Sequence, residues 1–137
     1  MKLATDQPGE PPVIWQWMTR QTQIPWSTDL RTIASIRDDG TIAAAVALGS
    51  WTPHACFIHV AFDTPHSLTR SLLKASLSYA FESVGVKAIY GLTPKDFDRA
   101  IKFNKRVGFK QIGETVDCVL LELRREDCRY LTKETLQ

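Results

Sequence analysis

The plainest pattern in the chain is a pair of apolar, β-compatible runs separated by a short polar break. Residues 30–37 (LRTIASIR) and 41–51 (TIAAAVALGSW) flank Asp38-Asp39-Gly40. Asp-Gly between two such runs predicts a hairpin, because glycine takes positive φ without steric cost. Thr52-Pro53 turns the chain again, and residues 55–62 (ACFIHVAF) make a third run of strand length. The period then changes. Leu68, Leu72, Ala75 and Tyr79, with Leu73, Leu77, Ala80, Phe81 and Val84, fall on one broad stripe at helical spacing over residues 67–85. Gly85 stands where a C-terminal helix cap belongs. Residues 86–92 (VKAIYGL) read as a buried strand. Thr93-Pro94-Lys95-Asp96 predicts the start of another helix, with a capping threonine, a proline at the first helical position and an acidic residue in the first turn. That helix has Phe97, Ala100, Ile101 and Val107 on its apolar side and ends at Gly108. Residues 109–114 and 115–127 supply two more strands. Upstream, residues 13–23 form a short helix entered through Pro11 and Pro12 and stopped by Pro25, while residues 1–12 read as a loose lead-in.

The order is helix, three strands, helix, strand, helix, two strands. Strand–helix–strand crossovers require a parallel pair, and the front hairpin is antiparallel. The expectation is an α/β fold with a mixed sheet and helices on both faces.

Bulk properties narrow the setting. A chain of 137 residues, 44% of them hydrophobic, suits a single domain over 1–137 that buries a full core. No apolar run reaches the ~18 residues of a membrane span. The opening MKLATDQPGEPP has one lysine and no apolar centre, so it does not read as a signal peptide. Cys56, Cys118 and Cys128 are scattered without CxxC spacing, which points to free thiols in a reducing cytoplasm. Net charge is only +2, yet Lys102, Lys105, Arg106 and Lys110 cluster, followed by Arg124 and Arg125. Either this is a solvated face or it is an anion site. Nucleic acid is not an expected partner, since no interleaving of aromatic and basic residues accompanies the cluster.

From Leu68 to Arg125 the order and the residues resemble the GNAT superfamily of acyl-CoA-dependent N-acetyltransferases. SYAFESVG (78–85) resembles the end of the family's helix before a central strand, and RAIKFNKRVGF (99–109) with IGE (112–114) resembles the helix and strand beyond it. TVDCVLLELRRED (115–127), with Asp117, resembles the last strand of the branch that acetylates ribosomal-protein amino termini. The resemblance implies a twisted, mostly antiparallel sheet whose parallel strands, 55–62 and 86–92, splay apart at their C-terminal ends. It implies acetyl-CoA as acyl donor, with its pantetheine arm pairing along the backbone of Ile58 and Val60. It also implies a pyrophosphate resting on N–H groups at the start of the next helix.

This sequence departs from the family at two places. No glycine lies between Gly49 and Gly85, and the family's three small positions fall on Pro65, Ser67 and Thr69. Proline has no N–H to offer. Thr64-Pro65 still predicts a helix start, so His66, Ser67, Leu68, Thr69 and Arg70 are the expected phosphate-binding residues; the alternative is a helix start that binds nothing. Second, Asn104 occupies the place where many members carry a tyrosine acid. Asparagine can orient a thioester or pantetheine amide but supplies no proton, and a missing general acid typically costs ~10²–10⁴-fold in rate. His59 is the candidate general base, on the strand face opposite Val60; the alternative is a buried, hydrogen-bonded structural histidine. His54 and His66 flank the same strand without metal-site spacing. Trp15, Trp17, Trp26 and Trp51 either line an acceptor slot, form a homodimer face or fill core. The expected function is acetyl transfer from acetyl-CoA to the amine of a small molecule or peptide by direct attack, in the cytoplasm. The rival is a catalytically inactive GNAT-fold binding or structural protein, of a build also found among phage-encoded proteins.

Overall fold

Seven strands pair into one sheet in the computed structural model, which describes residues 1–131. They are β1 (Lys2–Ala4), β2 (Arg31–Ile36), β3 (Ile42–Gly49), β4 (Ala55–Phe62), β5 (Ala88–Pro94), β6 (Lys110–Glu114) and β7 (Cys118–Arg124), in the spatial order β1-β2-β3-β4-β5-β7-β6. Every neighbouring pair is antiparallel except β4 with β5. Three α-helices accompany them: α1 (Val13–Thr19), α2 (Arg70–Ser78) and α3 (Asp98–Val107). The expected mixed sheet with one parallel pair is therefore present. Residues 132–137, part of the expected single domain, lie outside the described residues. Among the described residues, no helix is long and apolar enough to cross a membrane.

The sheet separates two cores. On one face Ala34, Ala45, Ala47 and Ala61 receive Ile14 and Met18 of α1. On the other, Val46, Leu48, Cys56, Ile89, Leu121 and Leu123 pack with Leu72, Leu73, Leu77 and Phe81, and with Val107 of α3. Helices thus cover both faces. Phe81 is fully buried, and burying a side chain of that kind is worth about 2–3 kcal/mol. The Asp-Gly turn forms as expected: Gly40 has φ +86, and the Asp39 carboxylate accepts from both the N–H and the hydroxyl of Thr41, at 2.9 and 2.7 Å.

Among the boundaries that differ from the sequence expectation, such as α1, which ends at Thr19 and not at residue 23, three have a clear physical reason. The lead-in is not loose. Lys2–Ala4 adds an edge strand to β2, pairing Lys2 with Ile36 and Ala4 with Ala34, and an unpaired strand edge favours such an addition. Asp6 then anchors α1 from a distance, its two carboxylate oxygens accepting from the N–H groups of Ile14 and Trp15, both at 3.0 Å.

The helix expected over 67–85 is three pieces. Pro65–Ser67 is a 3₁₀ turn, α2 starts only at Arg70, and Tyr79–Val84 widens into π-type turns closed by Gly85 at φ +92. Leu68 breaks the run with a non-helical ψ of 86, so Thr69, not Thr64, is the cap; its Oγ1 accepts from the N–H of Leu72 at 3.3 Å.

α3 does not begin at Pro94. Thr93 and Pro94 remain in β5 opposite Val119 and Cys118, and Lys95 N–H extends the pairing to Asp117 O at 2.9 Å. The ladder with β7 outweighs the local Thr-Pro capping signal, and α3 starts four residues later at Asp98.

Candidate functional site

The site follows from how far β4 and β5 pair. Only Ala55, Cys56 and Phe57 meet Ala88, Ile89 and Tyr90 in register. Beyond Phe57 the strands part, since β3 holds β4 as far as Phe62 and β7 holds β5 as far as Pro94. The expected splay is present. It leaves the β5-facing edge of β4, from Ile58 to Phe62, without a strand partner. A cleft of about 1120 Å³ opens there, lined by Ile58, His59, Val60 and Ala61 on one wall and Gly91, Leu92 and Thr93 on the other. An open strand edge in a cleft can be satisfied by an extended ligand that pairs with it as a further strand.

His59 lies opposite Ala47 on the α1 face, is half-buried and borders the cleft. Among the described residues its imidazole has no hydrogen-bond partner, unlike the structural histidine of the alternative reading. Burial lowers its pKa from the ordinary value of 6.5, so the imidazole is neutral at neutral pH and free to accept a proton. Asn104, on α3, borders the same cleft, and its Nδ2 donates to Oγ1 of the buried Thr93 at 3.2 Å. Thr93 therefore orients the amide instead of capping a helix.

The junction between β4 and α2 is closed upon itself. Ser67 is buried; its hydroxyl donates to Asp63 Oδ1 at 2.6 Å and lies 2.9 Å from the hydroxyl of Thr64, and its N–H donates to Thr64 O at 3.0 Å. Arg37 reaches across from the hairpin to Asp63 Oδ2, and 3.4 Å from Ser67 Oγ. The Ser67 and Arg37 hydrogen bonds hold the Asp63 carboxyl below its usual range. The Thr69 hydroxyl oxygen accepts the Leu72 N–H at the α2 cap. Arg70 stands over the ring of Tyr130, 5.8 Å from its centre. At the start of α2 the N–H groups of Arg70 and Ser71 have no partner within the helix.

Of the expected site residues, Ile58, His59, Val60, Leu68 and Asn104 come together around one cleft. His66, Ser67, Thr69 and Arg70 stand at the junction and do not line it. Lys102 and Arg106, named with Lys105 and Lys110 as a solvated face or an anion site, line the cleft, and Arg99 of α3, which the sequence reading did not single out, joins them. The spacing of positions 99, 102 and 106 puts them along one side of the helix, a signal available once Arg99 is added to that cluster.

The tryptophans are accounted for chiefly by packing. Trp15 meets Trp26 edge-on with centres 5.2 Å apart and donates to Ile24 O at 2.8 Å. Trp51 meets Tyr79 and donates to Asp29 O at 2.8 Å. None of the four lines the cleft. The cysteines are free, and burial pushes the Cys56 thiol up to about 12, which leaves it no nucleophile. Among the described residues no His, Cys, Asp and Glu group could hold a metal ion.

No family model matches the chain, and no curated protein matches it in sequence. Solved structures do. A mutant of spermidine N-acetyltransferase SpeG from Vibrio cholerae superimposes with a TM-score of 0.75 at 15% identity, over 98% of this chain and 99% of that one. N-acetyltransferase PseH from Campylobacter jejuni, in complex with acetyl coenzyme A, gives a TM-score of 0.61 at 18% identity, over 81% of this chain and 77% of that one. A second PseH structure gives 0.67 at 17% identity, over 90% and 97%. The fold is that of the GNAT N-acetyltransferases.

Proposed function

We propose that this chain is an N-acetyltransferase that moves an acetyl group from acetyl-CoA to the amine of a small molecule or peptide. The observation that carries the reading is the parting of β4 and β5 after Phe57, which leaves the backbone of Ile58 to Phe62 open along a cleft. An acyl-pantetheine arm is long, thin and rich in amides, and fits such an edge. The acetyl-CoA held by PseH, a protein of this fold, supports the same donor here.

The chemistry follows from the residues at hand. Free N–H groups of β4 polarise the thioester carbonyl and stabilise the negative charge that develops on its oxygen. Neutral His59 accepts the proton that the amine must shed. Attack forms the N–C bond and breaks the C–S bond, and the departing thiolate takes its proton from water, since the Asn104 side chain has none to give. Asn104 instead orients the donor's amide or thioester against β5. The acceptor approaches from the α1 side, where Gln21 and Thr22 border the cleft. Three free thiols favour a reducing, cytoplasmic setting.

A second reading, a catalytically inactive GNAT-fold binding or structural protein, is favoured by the junction, where Pro65 has no N–H and the Ser67 N–H is already given to Thr64 O. Titration calorimetry with acetyl-CoA beside coenzyme A, followed by assay of free thiol against amines and peptides, separates the two. Binding with sustained, slow thiol release is expected. Binding without release, or no binding at all, would overturn the enzyme reading and leave the inactive one.

A further inference from the structure

We infer that the donor's phosphates are held chiefly by cationic side chains of α3, on the wall of the cleft facing the junction where the family's glycine loop would lie. The inference rests on the acyl-CoA reading above and goes beyond it. The first observation is what the junction has lost. Pro65 carries no N–H, the Ser67 N–H is already given to Thr64 O, and the Ser67 and Thr69 hydroxyls are turned to Asp63 and to the α2 cap. Asp63 takes up the Ser67 hydroxyl and is itself paired with Arg37. The junction keeps N–H groups at the start of α2, but Pro65 and Ser67 have nothing left to give a phosphate there.

The second observation is what the opposite wall provides. Arg99, Lys102 and Arg106 lie along one side of α3, all exposed and all bordering the cleft. Among the described residues none of them has an ion-pair partner. Other basic side chains nearby are engaged: Lys95 with Glu114, Lys110 with Asp127 and Arg124 with Glu122. Asp96 and Asp98 also border the cleft, at the N-terminal end of α3 where the helix dipole favours carboxylates. Neither closes on Lys102 or Arg99, so the cations keep their charge for a ligand. Arginine and lysine bind phosphate oxygens through charge-assisted hydrogen bonds that need no bare backbone, so a side-chain site can replace a glycine loop. Such a site is also more sensitive to salt, because exposed charges are screened.

The test is equilibrium binding of coenzyme A and of pantetheine, which lacks phosphate, to the full chain and its variants at low and high salt. The double variant Lys102→Glu/Arg106→Glu is expected to bind coenzyme A roughly tenfold or more weakly, with a flatter salt dependence and unchanged pantetheine affinity. Lys105→Glu changes charge on the same helix away from the cleft and serves as the control; it should leave coenzyme A binding near the parent's. All three side chains are exposed, and a thermal melt verifies folding. Unchanged coenzyme A affinity in the double variant, or an equal loss in the control, would overturn the inference while the acyl-CoA reading stands. If the parent chain binds no coenzyme A, the reading itself fails and this inference with it.

Discussion

His59 and Asn104 are the proposed base and the proposed donor-orienting residue, and their surroundings predict how each behaves. Burial lowers the His59 pKa, so the neutral base persists to a lower pH than an exposed histidine allows. The acid limb of kcat/KM should therefore fall below pH 6.5, and His59→Gln should cost about 10²-fold or more in turnover with little change in coenzyme A affinity. An acid limb above that value would exclude His59 as the base. The sign for stability is the same: the unfolded chain binds this proton more readily, so stability is full above 6.5 and declines as pH falls through the lowered value. Asn104 already faces the cleft from α3. Asn104→Tyr supplies a hydroxyl to the departing thiolate, so turnover should equal or exceed the parent's; a steep fall would show that losing the orienting amide outweighs gaining an acid. That His59 is a site candidate was legible from strand alternation and residue type. That it lacks a partner was not, because partners come from other elements.

At the scale of elements, local signals succeeded where nothing competed with them. The Asp-Gly hairpin and the β4–α2–β5 crossover formed as read, since turn chemistry and helical period agreed with the fold. The Thr-Pro signal at 93–94 failed because a seven-residue ladder with β7 claims the same residues. β1 was invisible because three residues carry no period, and its pairing depends on the edge that β2 offers. Thr69 is the cap that starts α2, so Thr69→Ala should destabilise the chain by about 1 kcal/mol in chemical denaturation. Gly108 is more demanding. It holds φ +126, and a Cβ there would come within 2.7 Å of the backbone oxygen of Asp127. Gly108→Ala should cost more than ~1 kcal/mol, whereas Gly40→Ala, at an open turn, meets no such contact and should cost less. Equal losses at the two glycines would show that the close approach does not matter.

Across the whole molecule, the sheet order and the two cores keep a known acetyltransferase fold at only 15% identity to SpeG, because periodicity and strand pairing tolerate wholesale exchange of residues. The class of fold and the strand that carries the cleft were legible from pattern and resemblance. Which side of α3 borders the cleft was not, since it depends on the splay of two strands. The central claim is that the open edge of β4 receives the donor. Amide hydrogen exchange tests it most directly, because an N–H without a partner exchanges readily and one paired to a ligand does not. With saturating acetyl-CoA, amides within Ile58–Phe62 should slow markedly, while those of β2 change little. Unaltered exchange along Ile58–Phe62 in a sample where acetyl-CoA is demonstrably bound would contradict the account.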